Sequence, residues 1–254
     1  MELAILSPHI DDAVLSLGAT IHKATDLGIS VRSVTVFAGD VQDEGAPSPW
    51  DSHRGRRTAQ QAIRDRRRED RDACLSLMAA HAWGNFHDTS YAASRDVEKI
   101  WEFITAETAK ADLILVPGWP LTNADHAFVT TLFMRRANNR PFAVYGELPY
   151  GIYTSSLMQR ARHGRTASLV RYYGGGRPRW FRSVVTREDL AAKSNALMRY
   201  RAEMDALGRV ARHAQMYDRL IRAEALGLTP NRAHLRSTSV LFQKLIGRAI
   251  RSVS

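Results

Sequence analysis

The chain has very little sulfur chemistry. Cys74 is its one cysteine among 254 residues, which excludes an intramolecular disulfide framework and any cysteine-rich zinc site, so a metal here would need histidine and carboxylate ligands. A lone cysteine of this kind reads as a small core residue. No apolar run approaches the roughly twenty residues of a membrane span, and Met1-Glu2 lead straight into an apolar segment without a signal peptide, so the expected location is the cytoplasm. Acidic residues are outnumbered, 26 against 36 Lys and Arg, and the net charge is +10. The excess is mostly arginine, which suits phosphate or carboxylate partners without requiring them. There is no internal repeat and no low-complexity tract.

What is present is a core. With 44% hydrophobic residues, a chain of this length can bury the interior of one α/β domain. Its first 150 residues read as the α/β core, 151–185 as a lid or hairpin insertion, and 186–254 as C-terminal helices. Leu3 to Leu6 form a short apolar run that predicts a buried strand, broken by Ser7-Pro8 before helical periodicity opens near Asp12. His9, Asp11 and Asp12 fall at that junction. Two carboxylates and an imidazole within four residues are costly to bring together unless a cation or substrate offsets the charge. Positions three apart share one face of a helical turn, so His9 and Asp12 can converge on a divalent ion while Asp11 acts on a bound water. The alternative, a capping aspartate beside a loop histidine, needs only one carboxylate.

Ser30 to Phe37 alternates with β-branched residues and predicts a second strand, completing a βαβ unit with a parallel sheet. The long loop from Gly39 to Gly55 is a candidate active-site rim, with Trp50, Asp51 and His53 as contact residues. A helix is expected over Thr58 to Met78, and Arg66 interrupts its apolar stripe. Further strands are expected at Trp83 to His87, with Asp88 at the carboxyl end, at Asp112 to Val116 and at Phe142 to Tyr145. Pro117-Gly118 should stop the fourth strand. The loop after it carries Asn123, Asp125 and His126 to the carboxyl edge of the sheet, where His9 to Asp12 also emerge. Glu147 stands at the end of the fifth strand, where it can line the site or bind backbone. Helices follow from Thr186 through Leu207, where Thr186 and Asp189 resemble a capping box, over Val210 to Leu226, and in the tail from Val240 to Ile250. The tail is basic and amphipathic, a pattern that can bind a membrane surface or a partner, with docking on its own domain the preferred expectation.

P-H-x-D-D after the first strand, x-D-H after the fourth and E-L-P-Y after the fifth resemble the PIG-L/LmbE-like zinc-dependent N-deacetylase superfamily. The resemblance implies a Rossmann-like three-layer α/β sandwich with a mostly parallel sheet and a C-terminal helical extension. It implies zinc (Zn2+) on His9, Asp12 and His126, with Asp11 as general base. It also carries over an R-x-x-E pattern, Arg66 and Glu69, and a substrate-contacting acid, Asp88. One position departs from the pattern: Asn123 stands where the first histidine of H-x-x-H is usual, and an amide can donate to an oxyanion but cannot shuttle a proton. The expected substrate is an N-acetylated amino sugar or glycoside-like small molecule, anionic if the arginine-rich rim contacts it. Two alternatives stay open. One is a diverged zinc enzyme acting on another amide or running a non-deacetylating reaction, and the other a non-catalytic sugar or nucleic-acid binder. Nucleic acid is not the expected partner, and a homo-oligomer stays open.

Overall fold

A computed structural model describes residues 1–40, 45–91, 94–138, 140–150, 178–200, 203–204, 221–222, 224–228 and 239–247. The chain opens with β1 (Glu2–His9), whose interior is wholly buried, as a central parallel strand requires. It passes into α1 (Asp12–Asp26) and returns as β2 (Ser30–Phe37), which pairs in parallel with β1. Next come α2 (Pro49–Ser52), α3 (Ala59–Ser76), β3 (Ala80–Trp83), α4 (Val97–Glu107), β4 (Leu113–Trp119), α5 (Ala124–Arg136) and β5 (Phe142–Gly146). After these follow β6 (Arg179–Arg182), a helix here numbered α6 (Arg187–Leu197), β7 (Ala225–Leu228) and a last helix, α7 (Ser239–Ile246).

The sheet order is β3-β2-β1-β4-β5-β7-β6. The first five strands are parallel, and β7 and β6 add to the far edge in antiparallel fashion. Alternation along the strands divides the core between two faces. Leu3, Ile5, Leu113, Leu115 and Tyr145 point to a layer built from α1, α3, α6 and α7. Ala4, Leu6, Ile114, Val116 and Val144 point to α4 and α5. The expected three-layer, mostly parallel α/β sandwich is therefore the observed one. Among the described residues no helix is long and apolar enough to cross a membrane.

The C-terminal helices complete one of these layers. In α7, Leu241, Phe242, Leu245 and Ile246 are buried in the same core as β1. In α6, Lys193 lies against Gly18 of α1 so closely that a Cβ on the glycine would stand 2.7 Å from its Cγ. Lys193 is fully buried and pairs with Glu224 at 2.8 Å. Glu224 also accepts from the Ala19 and Thr20 backbone amides, at 2.9 and 2.8 Å, and from the Thr20 hydroxyl at 2.6 Å. Cys74 is a buried free thiol, as expected.

Several expectations need correction. The third strand ends at Trp83 instead of starting there, and the chain stays close to β2 just beyond it, with the buried Gly84 against the β2 backbone and its amide bonding Thr35 O. Pro117-Gly118 does not stop the fourth strand; pairing with β5 carries it to Trp119 through a register shift. The helix expected to run on to Leu226 gives way by Ala225, where pairing with β5 and β6 imposes a strand on helix-permissive residues. The helix begun at Thr186 stops at Leu197, ten residues early, after a reciprocal Thr186–Asp189 capping box. Within the segment expected as a lid or hairpin, Arg179–Arg182 is an edge strand, and 151–177 lie outside the described residues.

Candidate metal centre and active-site cleft

The strand order reverses between β1 and β4, and in open α/β sheets ligands bind outside the carboxyl ends at such a reversal. His9 ends β1, and Asn123 to His126 open α5 just after β4. The two polar clusters meet there.

His9, Asp12 and His126 offer ligand atoms that all lie within 4.8 Å of one another. His126 Nε2 is 3.1 Å from His9 Nδ1 and 3.2 Å from Asp12 Oδ2, and His9 Nδ1 is 3.5 Å from the same oxygen. Ligand bonds of about 2.0–2.1 Å in a tetrahedron put ligand atoms about 3.3 Å apart, so this spacing suits a zinc-sized ion. The outer nitrogens decide which lone pairs face inward. His9 Nε2 is 2.8 Å from Asp125 Oδ2, and His126 Nδ1 bonds Glu147 Oε1. With each outer nitrogen donating to a carboxylate, Nδ1 of His9 and Nε2 of His126 both turn acceptors toward Asp12. Three acceptors facing one another can hold a cation or share a proton.

The electrostatics agree. His9 is pushed down to about 4, chiefly by burial, and stays neutral as a ligand must. Burial also opposes a charge on His126, but Asp12 and then Glu147 overcome it and raise it to about 10. Asp12 is held below the usual carboxylate range, because His126 and His9 outweigh its own burial. Without a metal, the site retains a proton on His126.

Asp11 occupies the N-cap position of α1 but makes no side-chain capping bond, and its φ is 106°. A positive φ at a non-glycine residue costs about 1–3 kcal/mol and occurs where the surrounding structure imposes it. Here it turns a carboxylate into the cleft. Burial, then the charges of Asp12 and Glu203, raise Asp11 well above the ordinary aspartate value.

The cleft encloses about 500 Å³. Of the residues expected in it, Asp11, Asn123, Arg66, Asp88 and Trp50 line it together with His9 and Asp12. Trp50 is 51% exposed, with the Arg54 guanidinium 3.1 Å above its ring centre. Arg66 pairs with the buried Asp51 at 3.2 Å. Three expected residues stand elsewhere. His53 bonds the Pro49 carbonyl at 2.7 Å and is not among the lining residues. Asp51, fully buried, takes bonds from Ser48, Tyr91 and Arg56. Glu147 is buried behind His126 and accepts from the Leu121 amide at 2.7 Å.

Asp125 and Tyr150, named in the sequence only as members of the x-D-H and E-L-P-Y motifs and given no role there, join the site, as does Glu203, which was not singled out. Asp125 is buried and takes bonds from Arg95, from Thr89 through backbone and hydroxyl, and from His9. Its place between Asn123 and His126 was the available signal. Tyr150 sets its ring edge-on to His126 at 5.5 Å, and its hydroxyl hydrogen-bonds the Asn123 side chain. Glu203 comes from the far end of the chain, and nothing local marks it.

Residues 4–137 match the PIG-L family, described as GlcNAc-PI de-N-acetylase. No curated protein matches the chain. Solved structures share its fold, three of which illustrate the range. A teicoplanin deacetylase in its zinc-inhibited form aligns over 89% of this chain and 97% of its own, at 22% identity and a TM-score of 0.70. The antimicrobial reagent A40926 pseudoaglycone deacetylase aligns over 89% and 95%, at 28% identity and 0.66. A conserved protein from Thermus thermophilus aligns over 90% and 94%, at 14% identity and 0.51. The family match spans more than half of the chain and contains the whole His9, Asp12 and His126 cluster, and the chain belongs to the PIG-L family of deacetylases.

Proposed function

We propose that this chain is a zinc-dependent amide hydrolase that removes an N-acetyl group from an amino sugar or glycoside-like small molecule in the cytoplasm. The observation that carries the reading is the convergence of three acceptor atoms, each histidine backed by its own carboxylate, beside an uncapped aspartate in an open cleft. His9 Nδ1, Asp12 Oδ2 and His126 Nε2 would hold the ion, and when bound it would polarise the amide carbonyl and acidify water.

Asp11, turned into the cleft and free of any capping bond, removes a proton from the attacking water. Water adds to the carbonyl carbon, the C–N bond breaks, and the departing amine needs a proton. Asn123 cannot supply one. Asp11 therefore returns the proton it collected, leaving acetate and a free amine. Asp125 and Glu147 keep the two rings in the required tautomers. An anionic substrate has little to meet it. Among the described lining residues Arg66 is the one guanidinium, against Asp11, Asp12, Asp88, Asp125 and Glu203. A neutral sugar suits this lining better, with Trp50 at the rim.

A diverged reaction remains the second reading, favoured by Asn123 in place of histidine. The test is metal analysis of the purified protein followed by amine release from a panel of N-acetylated sugars, with and without chelator. Chelator-sensitive release supports deacetylation. Bound zinc with no release from any acetamide favours the diverged reaction. Failure to bind zinc at all overturns both, and salt-sensitive, metal-independent nucleic-acid binding would replace them.

A further inference from the structure

Asn123 is engaged on both sides of its amide. Its Oδ1 accepts the Asp125 backbone N–H at 2.8 Å as the N-cap of α5, and its side chain also bonds the Tyr150 hydroxyl. With the amide oxygen committed to the cap, the group that meets Tyr150 is the NH2, donating to the phenol oxygen. A phenol that accepts from an amide still has its own O–H to donate. Tyr150 presents that hydroxyl in the cleft, with its ring edge-on to His126 and the charges of Asp11 and Asp12 near enough to act on it.

We propose that Tyr150 is a catalytic hydrogen-bond donor to the oxyanion formed from the substrate carbonyl, and that Asn123 is a positioning residue that holds the phenol there. This rests on the amide-hydrolase reading above. Several features fit a donor in this role. Tyr150 immediately follows the short β5 turn that also carries Glu147, so one turn positions both the support of His126 and the donor beside it. The edge-on packing against His126 fixes the plane of the ring. Proton delivery is not asked of it; Tyr150 stays neutral and only hydrogen-bonds charge that develops in the transition state.

The experiment is a double-mutant cycle on the zinc-loaded enzyme with N-acetylglucosamine as probe, read as separate kcat and KM, with zinc content measured for each protein. Tyr150→Phe removes one oxygen and keeps the packing. It is expected to lower kcat by about 10²–10³ with KM within a few-fold and zinc content unchanged, the size of effect seen for one oxyanion donor. Asn123→Ala is expected to cost less, and to cost nothing further once Tyr150 is already phenylalanine, because the amide acts through the hydroxyl. Near-normal kcat in Tyr150→Phe overturns the assignment while leaving the hydrolase reading intact. So does an Asn123→Ala loss that persists in full on the phenylalanine background, which would put Asn123 itself on the substrate. Wild-type enzyme that holds zinc but releases no amine from N-acetylglucosamine or any other acetamide overturns the hydrolase reading and takes Tyr150 with it.

Discussion

Glu147→Gln separates a carboxylate that touches substrate from one that serves the metal through its ligand. Glu147 is 2% exposed and satisfies two donors, the Nδ1–H of His126 and the backbone N–H of Leu121. Glutamine has the same length but only one acceptor oxygen. Whichever donor meets the NH2 instead is left buried and unsatisfied, at a cost of about 1–3 kcal/mol. The weakened hold on His126 should reduce zinc affinity by about 10–100-fold, which is about 1.4–2.7 kcal/mol. Competition against a chromogenic chelator reads the affinity, and thermal melting with and without zinc reads the stability.

The pH dependence supplies an independent check. In the metal-free protein His126 stands at about 10 against an ordinary 6.5. A raised histidine contributes stability that is complete below about 6.5 and is lost as pH rises through about 10. The metal-free wild type should therefore lose stability across that window, and Glu147→Gln, with a lower folded-state value for His126, should lose less in total and finish losing it at lower pH. A variant with wild-type zinc affinity and an unchanged pH profile would refute the argument and return Glu147 to a role in the cleft.

His9→Ala and His126→Ala should each lose most bound zinc while far-ultraviolet circular dichroism is preserved, since the ligands sit at the sheet edge; full occupancy by metal analysis would show the ligand set to be wrong. Asp11→Asn should keep zinc and lose at least about 10² in kcat, because an amide hydrogen-bonds water but cannot take its proton; a near-normal rate removes Asp11 from the base role. Glu69 is raised to about 7 by burial and by the neighbouring Glu203, with Arg56 in partial opposition. The folded state thus binds that proton more tightly than the unfolded chain, and stability should fall as pH rises from about 4.5 through about 7. Glu69→Gln should melt like wild type at pH 5 and higher than wild type at pH 8; equal melting at both removes Glu69 from that dependence. Lys193→Met should cost about 3–5 kcal/mol in urea unfolding by stranding Glu224, with partial recovery in the double variant with Glu224→Gln; a loss below about 1 kcal/mol would mean that the pair contributes little.

Local pattern carried the elements of the fold and the His9, Asp11 and Asp12 grouping because both are short-range statements. Leu3 to Leu6 had to be a buried strand, and His9, Asp11 and Asp12 had to emerge where it ended. The apolar run of β4 likewise had to deliver Asn123, Asp125 and His126 to the same edge, and it took the family resemblance to single out His126 as the residue that joins His9 and Asp12. Local pattern could not decide the second partner of each group. Asp11 shares a helix start with Asp12, and only the backbone at φ 106° separates a carboxylate free of the cap and turned into the cleft from an ordinary cap. Glu147 and Asp51 carry the same carboxylate as Asp88, yet burial and committed hydrogen bonds put the first two behind the site and leave Asp88 in it. Glu203 reaches the cleft, and Ala225 to Leu228 become a strand, through pairings that span much of the chain. Such contacts depend on which surfaces meet when the sheet and its helices pack, and that is a property of the tertiary structure alone.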